Sequence, residues 1–160
     1  MIDGAAHVLA ASAAVGAGLN GGVFFAFSTF VMRALGRLPS SQGMSAMQAI
    51  NREAPSPLFM TLLFGTGVLC IAAGAVALAR WEEPWAPYLL VGGVLYIVCP
   101  IATMAYHVPR NLALDRMDTG SPAARDLWPH WHRAWTAGNH VRTLACGASA
   151  VIFVLALGAR

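Results

Sequence analysis

The sequence predicts an all-α protein: a bundle of four transmembrane helices forming a single integral membrane domain over residues 1–160. Three observations carry that expectation. The 160-residue chain is 58% hydrophobic and only 11% charged, whereas an ordinary soluble domain is about 25% charged. Its mean hydropathy is +0.61, which excludes a soluble globular enzyme. Four stretches carry no charge at all, over 4–32, 54–79, 84–109 and 143–159. The first three exceed the roughly 20 residues needed to cross about 30 Å of hydrocarbon, and the fourth reaches that length by starting near Trp135.

The first helix is expected over about 5–32. No basic segment precedes it and Asp3 stands where one would be, so it does not read as a cleavable signal peptide. Gly18 and Gly22 form a GxxxG pair suited to close helix approach. The second helix, about 56–79, opens with Pro55 and Pro57, where a missing N–H costs little. Gly65, Gly67, Gly74, Gly92 and Gly93 offer further flat surfaces along the second and third helices. The third, about 85–107, contains Pro100, which should kink it and free a carbonyl near position 96 for Thr103 or a neighbouring helix. Pro109 disfavours helix at Val108 and so ends this span, leaving 108–134 as a cytoplasmic loop. Within that loop Ser121-Pro122 has the form of an N-cap and first-turn proline. The fourth helix is expected over about 135–158.

All ten positive charges are arginine. Arg33, Arg37, Arg52, Arg110, Arg116, Arg125, Arg133 and Arg142 adjoin the two long loops, against Arg80 and Arg160 on the opposite face. The excess places both loops in the cytoplasm and both termini outside, in a multi-pass protein of a bacterial inner membrane. The arginines form no basic run, which argues against a nucleic-acid partner. Lipid bilayer and a hydrophobic small molecule are the expected partners, and the glycines leave a homo-oligomer open. Cys70, Cys99 and Cys146 lie in apolar stretches without CxxC spacing and read as packing residues.

Polar residues collect in two places. Asn20 is the one strongly polar residue inside the first helix, and Phe24 and Phe27 share its stripe at about 100° per residue. It suits either an interhelical hydrogen bond or an aromatic-walled pocket. From Tyr106 to Arg142 the segment is richer: Tyr106, His107 and Asn111 leave the third helix, and Trp128, His130, Trp131, His132, Trp135, Asn139, His140 and Arg142 lead into the fourth. Trp128, Trp135 and Arg142 fall on one line at seven-residue spacing, with His132 and Asn139 beside it, His140 on its flank and His130 nearly opposite. The tryptophans equally suit an interfacial belt, and Arg142 a snorkelling contact with phosphates. Ionisable groups in spans are costly and mark function. Asn20, Tyr106, His107, Asn139, His140 and Arg142 are therefore expected around one cavity walled by Phe24, Phe27, Trp128 and Trp135.

The run from Gly22 to Met32, the Ala46–Asn51 segment, Val108-Pro109-Arg110-Asn111 and the block from Trp135 to Arg142 together resemble the DUF1772, or anthrone oxygenase-like, membrane family. Two departures stand out: His107 where relatives carry asparagine, and Gly138 where they carry tryptophan. A tyrosine expected near Trp131 is also missing. The resemblance implies a four-helix membrane protein that oxidises planar anthrones or related phenols with O2 as co-substrate and without a resident cofactor. On that reading His140 or His132 acts as base, and Asn139, Arg142 and Tyr106 hold the enolate oxygen. The substrate would lie against Asn20, Phe24, Phe27, His107, Asn111, Trp128 and Trp135. Two alternatives accompany it. One is a non-catalytic membrane module for binding, transport or assembly. The other is an oxidoreductase in which His107, His130, His132 and His140 hold copper, iron or haem.

Overall fold

The structure, a computed structural model, describes Ile2 and residues 4–159; Asp3 and Arg160, which entered the sequence reading, lie outside the described residues. Five helices follow in order: α1 Gly4–Gly36, α2 Ser40–Glu53, α3 Pro57–Ala79, α4 Ala86–Asp115 and α5 Pro122–Gly158. All but α2 are long and apolar enough to cross a membrane. They form a ring in which α1 packs on α5, α5 on α4, α4 on α3, and α3 back on α1. Outward-facing Val15, Leu19, Val68, Ile71, Val94, Ile101, Val151 and Val154 are exposed, which suits a lipid surround and not water.

Small residues set how closely the ring closes. Ala6, Ala10, Ala13 and Ala17 are fully buried along one stripe of α1. A Cβ on Gly16 would collide with the Thr66 side chain, and one on Gly93 would stand 2.8 Å from the Cys70 carbonyl oxygen. The expected GxxxG pair is different. Gly18 and Gly22 are exposed, with nothing within 4 Å of either added Cβ, because the buried stripe of α1 runs through positions 16, 17, 20, 21 and 24 instead.

Both ends of the expected 108–134 loop are helical. Thr103–His107 makes a π turn, with Val108 N–H donating to the Thr103 carbonyl, and a regular helix resumes over Val108–Asp115. Pro109 therefore falls in the first turn after a ladder already broken, where its missing N–H costs little. At the other end α5 starts at Pro122, with Ser121 Oγ accepting from Ala124 N–H at 3.1 Å, as the N-cap signal predicts. Pro129 lies inside α5 without ending it. Pro100 likewise stays within α4, but Thr103 Oγ1 donates to the Cys99 carbonyl at 2.9 Å, not to the one at position 96. A second π turn, Phe27–Val31, interrupts α1.

The arginine-bearing segments fold onto one another at the same end of the bundle. Gln48 Nε2 donates to the Leu114 and Met117 carbonyls at 2.9 and 3.0 Å, and Asn51 Nδ2 to Asp115 Oδ1 at 3.2 Å. These bonds hold α2 as a cap over the helix ends. Beneath it Met32, Met44, Met47, Leu114 and the indoles of Trp128, Trp131 and Trp135 form a separate apolar cluster.

Candidate functional site

A cavity of about 510 Å³ lies beneath the α2 cap, lined from all five helices. α1 supplies Val23, Phe24 and Phe27; α2 supplies Met47, Ile50 and Asn51; α3 supplies Phe59, Met60, Leu63 and Phe64. Thr103, Met104, His107 and Asn111 come from α4, and Trp135 and Arg142 from α5. Phe27, Thr103 and His107 belong to the two π turns, so both helical irregularities border this space. π turns recur at functional sites because the added residue re-aims the side chains that follow it.

Arg142 brings a buried charge to the wall and is only 5% exposed. Its Nη2 donates to Asn139 Oδ1 at 2.7 Å and its Nη1 to Thr103 Oγ1 at 3.2 Å. The guanidinium carbon lies 4.4 Å from the Phe24 ring centre and 5.2 Å from that of Trp135. Among the described residues no carboxylate pairs with it. Asn139 is itself held by donating to the Phe24 carbonyl at 2.7 Å and to Ser28 Oγ at 2.8 Å. Its oxygen is therefore turned toward Arg142.

His107 is 1% exposed. Its Nδ1 lies 3.1 Å from the Ala102 carbonyl, which can only accept, so Nδ1 carries the proton and Nε2 the lone pair when the ring is neutral. Nε2 makes no hydrogen bond of good geometry, although the Trp135 backbone also interacts with the ring. The ring stands edge-on to Trp135, with centroids 5.2 Å apart at 86°. Trp135 in turn donates to Asn111 Oδ1 at 2.8 Å and lies 5.8 Å from Phe27. Among the described residues five buried side-chain atoms have no partner; Arg142 Nε, His107 Nε2 and Asn51 Oδ1 belong to residues lining the one cavity, and Asn20 Oδ1 and Trp85 Nε1 lie elsewhere. Such groups are rare and costly in a finished fold.

The sequence-based set thus divides. Phe24, Phe27, His107, Asn111, Trp135 and Arg142 line the cavity, with Asn139 directly behind Arg142. Asn20 does not: its Nδ2 donates to Tyr96 Oη at 2.9 Å, and that hydroxyl donates to the Leu63 carbonyl at 2.8 Å, tying α1, α4 and α3 together. Tyr106 donates to the Ala134 carbonyl at 2.9 Å, and its ring fills the notch left by Gly138, where a Cβ would collide with it. His132 Nε2 lies 2.6 Å from the Met32 carbonyl and links α5 to α1.

His140 is exposed, a correction with a simple cause. Asn139 and Arg142 are three residues apart and share a face, whereas His140 is turned about 100° from Asn139 and still further from Arg142. Trp128 stacks on Trp131 at 5.7 Å, away from the cavity. His130 is exposed beside Arg133, so His107, His130, His132 and His140 do not converge as a donor set. Among the described residues no group of three or more His, Cys, Asp or Glu side chains is gathered as metal ligands. Thr103, Met47, Asn51 and Phe59 were missed. Asn51 carried a usable signal as a polar side chain on the buried face of an otherwise apolar stripe of α2.

Residues 58–152, from the start of α3 well into α5, match the family described as anthrone oxygenase. No curated protein and no solved structure matches the chain. The family match spans more than half of the sequence and contains Thr103, His107, Asn111, Trp135, Asn139 and Arg142, so the chain belongs to the anthrone oxygenase family.

Proposed function

We propose that this membrane oxygenase-like protein binds a planar anthrone or related phenol in the cavity and oxidises it with O2 through the substrate's own enolate. The observation that carries the reading is a buried guanidinium with no carboxylate partner among the described residues, sharing an aromatic-walled space with the His107 imidazole. Loss of a proton from the benzylic CH2 leaves an enolate, which passes one electron to O2. The two radicals join at carbon as a peroxide, whose outer oxygen is protonated. The O–O bond then breaks as the second C–H proton leaves, the departing hydroxide and that proton become water, and CH2 and O2 become C=O and H2O. His107 Nε2 takes the first proton and returns it to the departing oxygen. Arg142, oriented by Asn139, holds the enolate oxygen. The rings of Phe24, Phe27 and Trp135 lie against the planar body. This reading moves the base from His140 or His132 to His107, and it calls on no resident cofactor.

Chelator-treated, purified protein should accelerate O2 uptake by a hydroxyanthrone over the heat-denatured control. Activity abolished by chelation and restored by one metal would overturn the enolate route. The arginine-bearing end faces the cytoplasm of a bacterial inner membrane on this proposal. Cysteines placed at Ser40 and Ser121 should accordingly react with an impermeant maleimide only from the inner side, and reaction from outside would reverse the topology.

A further inference from the structure

We infer that the cavity is filled from the bilayer, through a window between α3 and α4, and that its ligand is an acidic amphiphile: a planar apolar body bearing one weakly acidic hydroxyl. The choice of a phenol rests on the reaction proposed above; the route does not.

Phe64 and Met104 both line the cavity, yet they are 43% and 55% exposed, on two spanning helices. Phe64 lies two turns past the start of α3, about 10 Å along its axis at 1.5 Å per residue. Its side of the opening therefore reaches acyl-chain depth. Toward the middle of the bundle the α3–α4 seam is shut, by Gly93 against the Cys70 carbonyl and by the Tyr96 hydroxyl on the Leu63 carbonyl. On the α1 side the Phe24 and Phe59 rings meet edge to face, 6.3 Å apart, and the exposed Val23 also borders the cavity. The α2 cap is tied down over the loop end by Gln48 and Asn51, and beside it the exposed Glu53, Ala54, Pro55 and Ser56 form a second, more polar border of the cavity. The rim between α3 and α4 is apolar at Phe64 and Met104, whereas the loop end carries Glu53 and Ser56.

Arg142 selects what such a window admits. Its hydrogen-bond partners, Asn139 and Thr103, are neutral; no carboxylate among the described residues pairs with it, and a buried cation so placed favours an anionic oxygen on the ligand. A water-soluble anion would lose its hydration at an apolar rim, whereas a phenol crosses it neutral and ionises beside the guanidinium.

The test uses the full chain in phosphatidylcholine vesicles, with a nitroxide on Met60→Cys in the cavity wall. Met104→Cys marks the window rim and Glu53→Cys the loop end; the native Cys70, Cys99 and Cys146 are buried. Relaxation by O2, which concentrates in lipid, is compared with relaxation by a water-soluble nickel chelate. The Met60→Cys label should follow Met104→Cys, relaxed by O2 and spared by nickel, and Phe64→Cys supplies the same readout if Met60→Cys does not fold. Nickel relaxation matching Glu53→Cys would overturn filling from the bilayer. Adding 2-anthrol should then lower O2 relaxation at the cavity label, while 2-methoxyanthracene and palmitate should leave it unchanged. Equal protection by the methoxy compound would overturn the acidic oxygen, and equal protection by palmitate the planar body. Substrate oxidation is read separately and bears on the reaction alone.

Discussion

Two buried polar clusters lie in the same bundle and do different work. Around Asn20, every partner is neutral: its amide meets the Gly16 carbonyl and the Tyr96 hydroxyl, Tyr96 meets the Leu63 carbonyl, and Thr66 meets the Leu62 carbonyl. Around Arg142 a full charge is held by Asn139 and Thr103, with the His107 imidazole nearby and open space alongside. The first cluster fastens three helices. The second holds a charge and an imidazole beside open space. Burial of an asparagine in a transmembrane helix is thus no guide to function by itself; what distinguishes Asn139 from Asn20 is the cation it orients and the cavity beside it.

The comparison breaks first at His107. If it is the base, His107→Phe should lower the rate of anthrone oxidation by about 10²–10⁴-fold while leaving the helical content and the oligomeric profile in detergent unchanged. Wild-type turnover in that variant would move the proton transfer elsewhere.

The structural cluster is sharpened at Gly93, which lets α4 sit directly on the Cys70 carbonyl. Gly93→Ala should cost about 1–3 kcal/mol through overpacking, read as lowered resistance to denaturation in detergent. Gly18→Ala, on the open face, should stay within about 0.5 kcal/mol. Equal losses would mean that the exposed GxxxG face is itself packed, as in an oligomer.

The smallest expected effect belongs to His140. It is exposed and borders neither cluster, so His140→Ala should change stability by no more than about 0.5 kcal/mol and leave oxidation at the wild-type rate. A large loss of rate would restore it to the site.

The sequence made the four spans legible because charge cannot be placed cheaply in hydrocarbon, and the charge-free windows locate the cores of α1, α3, α4 and α5. It misjudged where helices end. A proline at 109 stops a regular ladder, but the π turn before it had already removed the hydrogen bond that proline would break. His107 faces the cavity with Thr103 and Asn111, four residues before and after it, whereas Tyr106 is turned about 100° away; nothing in the composition announces the π turn itself. Trp135, Asn139 and Arg142 were legible because α5 is regular there and its spacings of four and three hold one face. His140 lies off that face because it adjoins those residues in sequence, not in angle.

The distinction between the clusters is tested most directly by exchanging one residue in each and measuring both oxidation and stability. Arg142→Met removes the cation but keeps apolar bulk, and Tyr96→Phe removes the hydroxyl that joins Asn20 to Leu63. Arg142→Met should lose about 10²–10³-fold in oxidation rate with denaturation resistance equal to or above wild type, since a buried charge is costly to the fold. Tyr96→Phe should keep its rate and lose about 1–2 kcal/mol of stability. If both variants lose rate and stability in proportion, the Arg142 cluster is a structural tie like the other, and the cavity beside it is not an active site.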